Sequence, residues 1–515
     1  MTRIPLHPVL FAMVPVLSMF AANPGQRHLN ELPEALRIVV GVSLLMLLVV
    51  SAIYRDARKA ALCVSAVMVI LLAFDSLYAA IDHVGIGPWR PRHTRYAMLL
   101  VAYLAIMAWS VWLYRRKAVS GLTGFANMLA LGSVLPPAIV IGMTNAPSTL
   151  DATVKAADPI VATRVTARPD IYYLVFDRYG DDETARKYGL ENDIGDYLKG
   201  KGFYVPGASR SNYIKTVLSL SSSLNMEYLD EVVRGYERSA NWTPVYGYLW
   251  RHRVGGFLRS QGYSYTHLGS WYYPTRENPQ ATRNINYYSA MPRKILQLVD
   301  SLGFSSLQEA VGSPWFNERL QNWHRVRRQV DDVVGLVRTP GPKFVLLHVL
   351  VPHPPYVFDR DGSYVTKAEE GKRSFADNYR NQTVAANAMI RRMVDAILRD
   401  SASPPVIIVQ GDEGPYPPAT ARDTFDYRTA STAQLRIRSG ILNAYHLPGV
   451  APGVLYPRIS PVNSFRVVFN TYFGTNLPLL PDRTIRHVSD MLPFAFDDIT
   501  EQVGGAVHAT NVDPR

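Results

Sequence analysis

Three stretches of this 515-residue chain hold residues whose types and spacing could do chemistry. In PDIYYLVFDRYG, Pro169 to Gly180, an unbroken apolar run from Ile171 to Phe176 delivers one carboxylate, Asp177, to its end. In VIIVQGDEGPYP, Val406 to Pro417, a second apolar run ends in adjacent acids, Asp412 and Glu413, followed by Gly414. Two neighbouring carboxylates repel each other unless a cation or a basic group compensates. The third stretch, SRSNYIKTVLSLSSSLNMEYL from Ser209 to Leu229, places Thr216 in the first turn of an expected helix, ahead of Ser219 and Ser222 or Ser223. A hydroxyl at a helix N-terminus meets an anionic ester in a favourable field, because the first backbone N–H groups there are unpaired. Two strand-end acidic sites and a helix-start hydroxyl are the minimum for a metal-activated alkoxide attacking a phosphate ester. The plainer alternatives are that Asp177 caps the next turn and that the hydroxyls after Asn212 only pack and cap.

These residues need strands and helices to position them. Short runs rich in Ile, Val and aromatics predict buried strands at Ile171 to Phe176, Tyr263 to Gly269, Lys343 to Leu350, Val406 to Gln410 and Ile441 to Leu447. Between them, Tyr248 to Ser260, Trp315 to Val337 and Ala376 to Leu398 carry apolar residues at helical spacing. Strands alternating with helices predict an α/β domain with a mostly parallel central sheet. Such sheets bind ligands beyond the carboxyl ends of their strands, where Asp177, Asp412 and Glu413 would stand.

Upstream the composition changes. Up to Met143 long apolar runs alternate with short charged breaks, which predicts an α-helical membrane domain of about five spans. The spans run approximately from Pro8 to Ala22, Ile38 to Tyr54, Ala60 to Ile81, Tyr96 to Tyr114 and Leu122 to Met143. With Arg3 inside, Arg55, Arg58, Lys59, Arg115, Arg116 and Lys117 also fall on the cytoplasmic side, and the domain after Met143 falls outside. The expected organisation is a transmembrane domain over 1–143, a linker over 144–168, a catalytic domain over 169–498 and a loosely held tail over 499–515. The net charge of +12 suits a membrane surface, and no basic run with interleaved aromatics points to nucleic acid. The single cysteine, Cys63, falls in the third span, so the outer domain has no disulfide, zinc–thiolate site or cysteine nucleophile.

Several further residues are candidates for the substrate side. His353 stands between Pro352 and Pro354 in a loop, where function concentrates, whereas His348 alternates with apolar strand residues and reads as a structural histidine. Trp271, in LGSWYYPTR with Arg276, ends a strand and either lines the cleft or packs as an ordinary aromatic. His446, in LNAYHLPG, is a further substrate-side candidate.

PDIYYLVFDRYG, SRSNYIKTVLSLSSSLN, HVLVPHPPYVFD and QGDEG, in that order, resemble the sulfatase-like branch of the alkaline phosphatase superfamily. Within it they look most like membrane-anchored bacterial lipoteichoic acid synthase and phosphoethanolamine transferase relatives. The resemblance implies Asp177, Asp412 and Glu413 as metal ligands, Thr216 as metal-bound nucleophile and His353 on the substrate side. It implies a phosphotransferase outside the cytoplasmic membrane, moving a phospholipid headgroup to an envelope glycan or lipid through phosphothreonine. A hydrolase of the same superfamily and a catalytically dead domain binding envelope polymers are the alternatives. Sulfatase chemistry does not fit, since those enzymes oxidise a Cys or Ser and this chain has Thr216 there. One departure stands out: the late pair is Asp-His in the family and Asp412-Glu413 here. An all-oxygen site favours one hard divalent cation, Mn²⁺, Mg²⁺ or Ca²⁺, over Zn²⁺.

Overall fold

A computed structural model of the chain describes residues 4–21, 32–84, 91–144, 159–165, 167–239, 241–287, 312–313, 317–418, 425–489 and 492–504, the side chains of 71–96 and 99 excepted. Two compact units emerge: Met1–Ser148 with Ser289–Glu318, and Thr149–Tyr288 with Arg319–Arg515.

The N-terminal unit is helical: α1 (His7–Ala21), α2 (Leu32–Tyr54), α3 (Ala57–Val84), α4 (Pro91–Arg115) and α5 (Ser120–Thr144). Helix α1 is the packed centre, burying Phe11 against Val64, Met68 and Ala130, and Val16, Leu17 and Phe20 against Ala35 and Ile141. Asn127 caps it, its Oδ1 accepting from Leu6 N at 3.0 Å and His7 N at 2.9 Å. The outward faces are apolar, with Leu48 at 70% and Ile53 at 71% exposure. That is the inverse of a soluble helix and is what a lipid-facing surface requires. Five helices form where five spans were expected, but among the described residues two, Leu32–Tyr54 and Ser120–Met143, are long and apolar enough to cross a membrane. The first helix has 15 residues, a rise of about 22 Å against a hydrocarbon core of about 30 Å.

The second unit holds the sheet. Its elements are β1 (Ile171–Phe176), α6 (Asp182–Lys187), α7 (Ile194–Gly200), α8 (Thr216–Asn225), α9 (Thr243–Trp250), α10 (Arg253–Ser260), β2 (Ser264–Leu268), β3 (Arg283–Ile285), α11 (Glu318–Leu336), β4 (Lys343–Val349), α12 (Lys367–Glu370), α13 (Phe375–Asp400), β5 (Val406–Gly411), α14 (Thr432–Ser439), β6 (Asn443–His446), α15 (Pro461–Phe473), β7 (Ile485–Ser489) and β8 (Leu492–Asp498). The main sheet runs β3-β2-β4-β1-β5-β6, parallel except for β6, and β7 pairs with β8 in a separate hairpin. β1 lies between β4 and β5 with no residue more than 1% exposed. Ile171, Tyr173 and Val175 point into one core with α8 and α15, and Tyr172, Leu174 and Phe176 into the other with α11 and α13. Burial on both faces is why this strand reads as an unbroken apolar run.

The predicted parallel sheet is present, with three differences in detail. The expected helix from Tyr248 to Ser260 is two helices, because His252 takes an extended conformation (φ −64°, ψ 144°) and caps α10 through Gly255 N. The β7–β8 hairpin lacked a run long enough to be foreseen. Packing also continues past Asp498: Ile499 and Val503 are buried with Ile214 and Leu435. Most of the expected linker, 145–158, lies outside the described residues, but Ile160 and Ala162 already pack on the second unit's core.

Candidate metal centre

Three neighbouring strands converge on one point. Val175 of β1 is in register with His348 of β4 and with Gln410 of β5. Two residues further on, Asp177 and Asp412 stand abreast beyond the strand ends. Because side chains alternate along a strand, Asp177, His348 and Asp412 share the face of Tyr173, Leu346 and Ile408. That is the face on which α8 packs.

The turn after β1 is tight. Asp177 N still donates to Val349 O at 3.0 Å. Arg178 then adopts φ 62°, a left-handed conformation that non-glycine residues rarely take. This aims Arg178 N at Asp412 Oδ1, 2.9 Å away, and the same oxygen accepts from Glu413 N at 2.8 Å. One oxygen of Asp412 is thus fixed by backbone, leaving the other to face the site.

Asp177, His348 and Asp412 are 2%, 1% and 2% exposed, and each offers a ligand atom within 4.8 Å of the others. Asp177 Oδ1, His348 Nε2 and Asp412 Oδ2 have no hydrogen-bond partner among the described residues. Burial and the facing Asp412 carboxylate push Asp177 well above the usual carboxylate range, with Arg178 opposing. Burial and Glu413 push Asp412 up to about 7. Burial, with a small contribution from His267, takes His348 down to about 3, so its imidazole is neutral. Two mutually repelling carboxyls and a neutral imidazole, all unsatisfied, fit a divalent cation, which needs deprotonated donors of this kind. This set contains nitrogen, unlike the all-oxygen set expected from Asp177, Thr216, Asp412 and Glu413, and imidazole suits Zn²⁺ and other transition ions.

Thr216 is the first residue of α8, behind Lys215 in an extended conformation. Its hydroxyl lies near enough to the Asp412 carboxylate to oppose the rise in that group's pKa, while Ser219 donates to Asp412 O at 2.6 Å. The hydroxyl-rich face thus docks α8 onto the end of β5 and holds the Thr216 oxygen beside the acids.

Glu413 turns elsewhere. Its Oε1 accepts from Arg178 Nε at 3.2 Å and its Oε2 from Arg438 Nη2 at 2.7 Å, all three side chains being buried. Arg438, on α14, also donates to Gly414 O and, at 3.0 Å, to Ile214 O, two residues before Thr216. Both guanidinium carbons sit 4.4 Å from the Tyr416 ring centre. Gly414 permits this close approach: a Cβ there would stand 1.9 Å from Ile437 O.

Among the substrate-side candidates, Trp271 and His353 meet edge to face with ring centres 5.7 Å apart. Arg276 covers the Tyr273 ring at 5.5 Å. His446 does not join the site: it pairs with Ile407 near the start of β5 and its Nδ1 bonds to Pro405 O at 2.8 Å. His348, read from sequence as structural, stands among the ligand atoms, and Arg438 was not foreseen. Strand parity carried a signal for His348, because it repeats the phase of Phe344 and Leu346.

No protein-family model matches the chain, and no curated protein matches it. Among solved structures, the C-terminal periplasmic domain of EcEptC from Escherichia coli is 12% identical, with TM-score 0.41, over 68% of this chain and all (100%) of that one. The same domain in complex with Zn gives 12% and 0.40 over the same shares, 68% and 100%. A 2-O GAG sulfatase, BT1596, is 10% identical with TM-score 0.39 over 61% of this chain and 72% of its own.

Proposed function

We propose that the chain is a metal-dependent phosphotransferase, anchored in the cytoplasmic membrane by its N-terminal helices, with the sheet domain outside. The observation that carries this is the convergence of buried ligand atoms from Asp177, His348 and Asp412, with Asp177 Oδ1, His348 Nε2 and Asp412 Oδ2 not hydrogen bonded, near the hydroxyl of Thr216. Asp177, His348 and Asp412 would hold the cation, with the Thr216 hydroxyl nearby; Zn²⁺ and Mn²⁺ suit a mixed nitrogen and oxygen set. A divalent cation there supplies positive charge to phosphoryl oxygens and favours the alkoxide form of a nearby hydroxyl.

The residues supply the remainder. Thr216 Oγ1 attacks phosphorus, the bond from phosphorus to the donor's alcohol oxygen breaks, and a phosphothreonine ester forms. The Asp412 carboxylate beside Thr216 is placed to take its proton, which passes to the departing alcohol oxygen. In the second half an acceptor hydroxyl attacks the same phosphorus and Thr216 leaves with a proton restored. The donor is a phospholipid headgroup, since the membrane helices hold the domain at a surface where such donors are concentrated, and the acceptor is an envelope glycan or lipid. Trp271, Arg276 and His353 are the candidates for binding them.

The test is mass spectrometry of the full chain after incubation with membrane lipids. A covalent adduct on Thr216 is expected, its mass naming the transferred group; persistence of the adduct until an acceptor is added distinguishes a transferase from a hydrolase. No adduct with any lipid mixture counts against the enzyme reading and favours a domain that only binds envelope polymers. A reporter active only in the cytoplasm, fused after Arg515, should stay silent.

A further inference from the structure

His348 is held from behind by a string of buried polar groups that the proposed reaction does not use. Gly255 N donates to His252 Nδ1 at 2.9 Å, which puts the His252 proton on Nε2. That nitrogen lies 3.2 Å from Tyr265 Oη and donates to it. Tyr265 Oη, 3.3 Å from His267 Nδ1, donates onward, so His267 carries its own proton on Nε2 and gives it to Thr275 O at 2.9 Å. Burial keeps both histidines neutral, His252 pushed down to about 3 and His267 to about 4. Each group in the string thus has one available role.

The string ends on Thr275, whose hydroxyl is 2.7 Å from His348 Nδ1. Tyr272 N donates to Ser270 Oγ at 3.0 Å, and Ser270 Oγ lies 2.9 Å from Thr275 Oγ1, a pair in which either hydroxyl can donate. Thr275 Oγ1 in turn donates to Tyr272 O at 3.3 Å. A hydroxyl has one proton and two lone pairs. With the proton on Tyr272 O and one lone pair taken by Ser270, the second is open for His348 Nδ1–H. His348 Nε2 is then a bare lone pair, 3.7 Å from Asp177 Oδ2 and too far to be hydrogen bonded to it.

We infer that Thr275 is a positioning residue that fixes His348 with its proton on Nδ1 and its Nε2 lone pair turned toward Asp177 and Asp412, and that the His252–Tyr265–His267 string holds Thr275 in place. The inference rests on reading Asp177, His348 and Asp412 as cation holders. Outer partners of a ligating imidazole set its tautomer and orientation, and their loss weakens metal binding about 10- to 100-fold.

The experiment uses the full chain in detergent, stripped with chelator and titrated with Mn²⁺ and with Zn²⁺, together with ¹⁵N spectra of the imidazoles, His348 being identified by its loss in His348→Asn. Expected are Nδ1–H for His348 in the metal-free wild type and a fall in affinity of about 10- to 100-fold in Thr275→Val. Thr275→Ser should restore binding, and Tyr265→Phe, which breaks the string without touching His348, should show a smaller loss. Unchanged affinity in Thr275→Val, or a proton on Nε2 in the wild type, overturns the inference. Should Thr275→Val not fold, Tyr265→Phe decides by the same readouts. If the wild type binds neither ion, the metal reading fails, and the His348 tautomer alone decides the role of Thr275.

Discussion

Asp412 and Glu413 are consecutive, equally buried, and in opposite circumstances. Asp412 faces Asp177 and His348 with one oxygen unpartnered, and its pKa is raised to about 7. Glu413 is bridged on both oxygens by guanidinium groups. The strand's period of two turns one acid toward the α8 side and the next toward the arginines. The lesson is that an acid left unsatisfied in a core is held in readiness for something, whereas one already satisfied holds the structure together. Asp177, His348 and Asp412 form a buried group that could bind a metal ion. Glu413, Arg178 and Arg438 form a clamp that ties the loop before Thr216 to the end of β5 through Ile214 O and Gly414 O.

The largest expected effect divides the nucleophile from both regions. Thr216→Ala removes an oxygen and should cut turnover by at least about a thousand-fold. It should leave bound metal, measured by elemental analysis, at the wild-type level. Substantial residual turnover would move the nucleophile's role to another hydroxyl, Ser219 first.

Next come the two regions themselves. Asp412→Asn should abolish metal-dependent stabilisation: the wild type, given a cation at a hundred times its Kd, should gain about 2.7 kcal/mol over the stripped protein, and the variant almost none. Glu413→Gln should do the reverse. Removing one partner of a buried ion pair costs about 3–5 kcal/mol, because Arg178 and Arg438 are left with uncompensated charge. The gain on adding metal should survive in that variant. Denaturant unfolding with and without cation measures both; equal responses from Asp412→Asn and Glu413→Gln would dissolve the distinction between ligand and clamp.

How much of this was legible beforehand follows from range. The strands at 171, 343 and 406 and the acids at two of their ends were readable because both are local: burial on two faces leaves an apolar run, and the run's end is visible. Thr216 was readable from its place at the start of a helix. His348 was not, because an imidazole within an apolar strand looks alike whether it is packed or ligating, and only the register of β1 against β4 brings it to Asp177. Arg438 lies 25 residues from Glu413 on a different element, and nothing local to either announces the pair. The membrane unit shows the same limit, since hydropathy located five helices but not which of them cross.

The smallest expected effect is the sharpest on Glu413. From sequence alone, Glu413→His would be expected to turn an all-oxygen site into one favouring Zn²⁺. With the Glu413 carboxylate on Arg178 and Arg438, the substituted imidazole lands between two guanidinium groups and not among Asp177, His348 and Asp412. Ion preference should therefore stay as in the wild type, while stability falls as in Glu413→Gln, since a neutral ring neither accepts two charged bonds nor balances two positive charges. Elemental analysis of both proteins after equilibration with equal Mn²⁺ and Zn²⁺ is the measurement. A shift toward Zn²⁺ in Glu413→His would mean that Glu413 leaves its arginines to reach the cation, and the two regions would then be one.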